Sequence, residues 1–192
     1  MESYFKTKGY VPGGIIVNSR QENLDLASMP PFLRTLLVTD GTVTKSLEAY
    51  FWEPVKVENL GQLPVTLSDS LDWLGMQQNE QALRREVRLI GGNSGIVYAY
   101  AKSWLKLSVL PQNLKDDLIA GKIGIGEMLR ERGLESYREI LDMGKEHDDA
   151  LKPIFGEAPS GEYLFRTYRV IMQGAATILI TEKFPLALYS NQ

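Results

Sequence analysis

Two charged side chains stand where an alternating strand would place apolar ones. The run Leu83-Arg84-Arg85-Glu86-Val87-Arg88-Leu89-Ile90 alternates apolar and charged residues. Side chains alternate faces along a strand, so Leu83, Arg85, Val87 and Leu89 share one face and Arg84, Glu86 and Arg88 the other. A second run repeats the pattern with opposite sign: Ile178, Ile180, Glu182 and Phe184 share a face, against Thr177, Leu179, Thr181 and Lys183. A guanidinium and a carboxylate are both predicted on the apolar side, where an unpaired charge is costly. Two readings are open. Arg85 and Glu182 neutralise each other as a buried ion pair, or the strand stops before Glu182 and leaves it in water. Alternatively, each faces a cavity. Arginine then offers a planar fork that holds a carboxylate through two hydrogen bonds, and a carboxylate near apolar walls serves in proton transfer or accepts a hydroxyl proton. Such a pair suits a small ligand with an acid at one end and a hydroxyl at the other.

A third candidate is backbone. Gly121-Lys122-Ile123-Gly124-Ile125-Gly126 leads into a predicted helix, and free N–H groups at a helix start attract anions. The amide of Ile125 or Gly126 could share a ligand carboxylate with Arg85; a plain interhelical turn is the competing reading. No Lys-Ser/Thr follows the last glycine, so this is not a P-loop. Other chemistry has little support. The chain has no cysteine and a single histidine, His147, in the charged run Lys145–Asp149, which argues against a thiolate nucleophile, a zinc site or a serine triad. Trp52, Trp73 and Trp104 read as core or rim.

The elements that must position these groups follow from pattern. Pro30-Pro31 opens a short helix over the apolar run to Val38. Thr42 or Thr44 caps a second helix, ended by Pro54. Val55–Glu58 alternates like a strand, and residues 82–105 form a hairpin around Gly91–Gly95. A helix runs from Pro111 to about Ala120, a short one follows Gly126, and Ser136–Asp142 is a strand candidate. Residues 145–161 read as a loop, and two strands flank Gln173-Gly174. About six strands in neighbouring hairpins, with helices between them, predict an α+β domain with one antiparallel sheet. Its 192 residues suit a single domain, with residues 1–28 as an N-terminal arm. A net charge of −3, with no dense basic stripe, argues against a nucleic-acid surface. No apolar stretch reaches the roughly 18 residues of a membrane span. With no signal-like start, a cytoplasmic protein is expected.

Four short motifs, in order, resemble the chorismate pyruvate-lyase family, also called 4-hydroxybenzoate synthases. Gly41-Thr42-Val43-Thr44-Lys45-Ser46-Leu47-Glu48 follows a short apolar helix; Arg85-Glu86-Val87-Arg88 precedes a glycine hairpin; Gly121–Gly126 fills the glycine turn; and Ile180-Thr181-Glu182-Lys183-Phe184-Pro185 precedes Leu188-Tyr189. The resemblance implies an antiparallel sheet of six strands with helical flaps over a buried pocket, and neither metal nor organic cofactor. It implies that chorismate is converted to 4-hydroxybenzoate and pyruvate, with the ring carboxylate on Arg85 and the backbone of Ile125, and the ring hydroxyl on Glu182. Val43 would line the pocket in place of the family's methionine, and Gly124 replaces a proline. A second cation for the enolpyruvyl carboxylate is expected from Arg34, Lys45 or Lys122. The alternatives are a non-catalytic domain that senses a small acid, as related sheet folds do in transcription regulators, or a lyase for a related cyclic carboxylate.

Overall fold

Two three-stranded antiparallel meanders share one sheet. The computed structural model describes residues 14–39, 42–119, 125–126, 135–156 and 161–190. The first meander is β3 (Val55–Thr66), β4 (Gln81–Gly91) and β5 (Val97–Leu105); the second is β6 (Ser136–His147), β7 (Glu162–Met172) and β8 (Ala175–Pro185). They join through β5 and β8, so the order is β3-β4-β5-β8-β7-β6 and every neighbouring pair is antiparallel. Because β5 lies in the middle and β6 at the far edge, the connection between them must travel across the sheet. That connection carries α3 (Gln112–Ile119) and residues 125–126.

Local chemistry explains the tight turns. Gln173 and Gly174 both have positive φ, 49° and 79°, the type I′ signature of a two-residue hairpin between β7 and β8. Pro31 opens α1 (Pro31–Val38), and Thr42 is the N-cap residue of α2 (Val43–Phe51), both as predicted. These two helices lie over one end of the sheet. Leu33, Leu36, Leu37 and Leu47 are fully buried there, in a core with Leu89, Ala99, Leu164 and Phe184. Each such side chain stabilises the fold by about 1.5–3 kcal/mol relative to exposure. Over the other end of the same face, Leu110 and Leu118 close on Leu83, Leu105, Val170 and Ile178.

Several elements differ from the sequence reading. Within the expected N-terminal arm, residues 14–28 hold a hairpin of β1 (Ile15–Val17) and β2 (Asn23–Asp25), with Ile16, Leu24 and Leu26 buried in the main core. Asp142 accepts hydrogen bonds from the Ser19 backbone N–H at 2.9 Å and hydroxyl at 2.6 Å, which fastens the hairpin to β6. β3 continues past Glu58 to Thr66 because Asn59-Leu60-Gly61 is a bulge, not a turn. β6 continues to His147, so the polar run Lys145–His147 is edge strand, and residues 149–155 make two short helical turns, the second being α4 (Lys152–Phe155). Trp52 is 89% exposed at a left-handed C-cap, outside any core. The predicted short helix after Gly126 lies outside the described residues.

Candidate active site

The register sets side by side what the sequence offered separately. On the helix-covered face, Arg85 lies opposite Ser103, Ser103 opposite Ile180, and Ile180 opposite Tyr168. The next row runs Val87, Ala101, Glu182, Arg166, Met143. These two rows lie between the apolar ends that α1/α2 and α3 cover. Arg85 and Glu182 are both buried, at 6% and 8% exposure, so neither is left in water. Two strand spacings and a two-residue offset separate them, roughly 12 Å between Cα atoms. The β5 residues between them are the small Ala101 and Ser103, both buried. Sequence alternation alone could have shown this: Ala99, Ala101 and Ser103 keep one face of β5 low.

Glu182 does have an ion partner, but it is Arg166 and not Arg85. Arg166 Nε donates to Glu182 Oε2 at 2.7 Å, and the Tyr168 hydroxyl donates to Oε1 at 3.0 Å. Each carboxylate oxygen has a second lone pair to offer. Burial, then the neighbouring Glu182 charge, pushes the Tyr168 hydroxyl well above its ordinary pKa, so it stays a donor. Burial pulls the Arg85 pKa down, the mark of a desolvated cation. The inward Arg166 was missed, although the phase rule finds it: Leu164, Arg166, Tyr168 and Val170 share one face of β7.

The covering segments converge on the same rows. Val43 is the first residue of α2 and is buried in the same core as Leu33, Leu36 and Leu37 of α1. Ile125 is half-buried and packs on the cluster that contains Ala101, Tyr168 and Ile180. A Cβ on Gly126 would sit 3.8 Å from Thr42 Cγ2, so the two covering segments meet. Of the three cations considered for a second carboxylate, Arg34 points at the carbonyls of Leu26 and Ala27 at 3.3 and 3.4 Å. Lys45 pairs with Glu48 on the surface at 2.5 Å. Lys122, like the turn residues Gly121–Gly124, lies outside the described residues. Among the described residues, no group of three His, Cys, Asp or Glu side chains could hold a metal ion. His147 ends β6 beside Glu162 and Asp149 at the surface.

Residues 37–192 match the family described as Chorismate pyruvate-lyase Rv2949c-like. The chain belongs to this family. The matched span holds α2, the whole six-stranded sheet and all four candidate residues, and leaves out the β1–β2 hairpin. A Methanocaldococcus jannaschii protein, MJ0807, which carries a provisional lyase name, is 32% identical over 160 residues, covering 79% of this chain and 76% of its own. The chorismate pyruvate-lyase of Mycobacterium leprae is 26% identical over 171 residues, covering 83% and 76%. Among solved structures, the effector domain of PhnF from Mycobacterium smegmatis superposes with a TM-score of 0.55 at 14% identity, over 76% of this chain and 88% of that one. A GntR-family regulator from Bacillus cereus superposes at 0.52 and 12% identity, over 68% and 91%. At such identities the likeness is one of fold: an α+β architecture built on an antiparallel sheet. No helix among the described residues is long and apolar enough to cross a membrane.

Proposed function

We propose that this chain is a chorismate lyase, converting chorismate to 4-hydroxybenzoate and pyruvate. What supports this most is one juxtaposition: Arg85 and Glu182 point inward from β4 and β8 onto one face, with only alanine and serine between them on β5. This fits a flat ring held at opposite ends, and membership of a lyase-like family supports chorismate as that ring. Arg85 grips the ring carboxylate through its planar fork, with the backbone N–H of Ile125 as a second donor. Val43 helps wall the site. Glu182 accepts the ring hydroxyl, oriented by Arg166 and Tyr168.

The chemistry asks for placement more than for a covalent intermediate. The bond between the ring carbon and the ether oxygen breaks, enolpyruvate leaves and takes up a proton to become pyruvate, the proton on the hydroxyl-bearing carbon is lost, and the ring becomes aromatic. Aromatisation drives the reaction, so orientation and charge stabilisation are what the protein adds. Glu182 holds the hydroxyl and assists removal of the neighbouring proton. The site lies in the cytoplasm on this reading and takes no cofactor.

The test is incubation of the protein with chorismate, with 4-hydroxybenzoate and pyruvate measured together. Stoichiometric appearance of both is expected, and Glu182→Gln should slow it severely. Tight binding of 4-hydroxybenzoate with no turnover would make the domain a sensor of small acids instead, and full activity in Glu182→Gln would remove the proton role.

A further inference from the structure

Arg166 makes contacts that the substrate reading does not require. The side chain is fully buried, and its guanidinium is spread over two parts of the molecule. Nε holds Glu182 on the neighbouring strand at 2.7 Å. Nη1 donates to the carbonyls of Leu36 and of Thr39, the latter at 3.0 Å. Leu36 lies in the last turn of α1 and Thr39 is its C-cap. Carbonyls at a helix C-terminus lack intrahelical partners and carry partial negative charge. The last turn of α1 has no basic residue of its own, so the cation there comes from β7, about 130 residues along the chain. The C-terminal turn of α1 therefore hangs from the same guanidinium that is bonded to Glu182.

A buried ion pair by itself is weak support for stability, and an apolar pair of similar volume often does as well. The second use of the fork is what such a pair would not need. Lysine carries the same charge on one compact ammonium, whereas arginine reaches several acceptors in one plane. We propose that Arg166 is a positioning residue that couples Glu182 to the C-terminal turn of α1, so that the set of the carboxylate and the docking of that turn change together. This rests on the reading of Glu182 as the hydroxyl-holding end of the site, and it adds a residue that ties that end to the helix.

The experiment is hydrogen exchange over residues 36–39 in the ligand-free protein, paired with stopped-flow dissociation of 4-hydroxybenzoate. Arg166→Lys should speed exchange there by at least about fivefold, the lower end of ordinary coupling between sites, and should speed dissociation by a similar factor. Coupling is reciprocal. Glu182→Gln, a change on β8 whose side chain is bonded to Arg166 and Tyr168, should therefore also raise exchange over 36–39. A purely structural Arg166 would hold α1 regardless of the Glu182 charge, so unchanged exchange in Glu182→Gln overturns the coupling even if Arg166→Lys does not fold. Unchanged exchange and dissociation in a folded Arg166→Lys overturns it too. If exchange responds as expected while 4-hydroxybenzoate fails to bind, the coupling stands and the substrate reading falls.

Discussion

Replacing Arg85 with methionine removes the guanidinium while keeping most of the side-chain volume. In the parent, Arg85 is 6% exposed and burial lowers its pKa, so water screens little of its charge. A ligand carboxylate seated on it makes two charge-assisted hydrogen bonds, each worth about 1.5–3 kcal/mol. Together they amount to about 3–6 kcal/mol, which overlaps the roughly 2–5 kcal/mol seen when one member of a buried charge pair is removed. At 1.4 kcal/mol per factor of ten, affinity for 4-hydroxybenzoate should fall about a hundredfold to ten-thousandfold. Calorimetry with a second ligand isolates the cause. The parent should prefer 4-hydroxybenzoate over 4-hydroxybenzamide by a comparable factor, and Arg85→Met should lose most of that preference, keeping only what the Ile125 amide supplies. A variant that still separates acid from amide as the parent does would show that the carboxylate lies elsewhere.

Ala101→Leu probes the space over β5: binding of 4-hydroxybenzoate should fall more than tenfold with little loss of stability. A loss of about 1–3 kcal/mol in urea unfolding, the usual cost of overpacking, would mean that the space is already filled. Asp142→Ala removes the acceptor of both Ser19 bonds; limited proteolysis within residues 14–28 should accelerate, with stability reduced by about 1–3 kcal/mol. The Glu53 carboxyl is held down from 4.5 to about 2 by the Tyr98 hydroxyl, then by the Ser94 hydroxyl and the Ser94 and Asn93 N–H groups. A depressed folded-state pKa contributes stability that is present above the unfolded value and is lost as pH falls through the folded one. Glu53→Gln should therefore flatten the loss of melting temperature between about pH 4.5 and 2; an unchanged acid slope would contradict that role.

Local signals were legible. The glycine hairpin at 91–95, the caps of α1 and α2, and the phase that turns Arg85 and Glu182 inward follow from neighbours along the chain. What escaped depends on distant partners. Residues 14–28 offer apolar side chains at both ends around a polar middle, and Asp142 holds Ser19 from 123 positions away, which no local pattern reveals. Lys145–His147 read as loop because an edge strand tolerates polar residues on both faces. The pairing of β5 with β8, which brings the two charged rows onto one surface, is a non-local choice between two meanders. Arg166 is different: its strand phase was there to read, but only the fold shows that Glu182 pairs with it across β7 and β8.

The most direct measurement is a crystal structure with 4-hydroxybenzoate bound. The carboxylate should lie on the Arg85 guanidinium and the Ile125 N–H, the ring over Ala101 and Ser103, and the hydroxyl on Glu182. A ring bound elsewhere, or one turned end for end so that its acid meets Arg166, would contradict the assignment of the two ends.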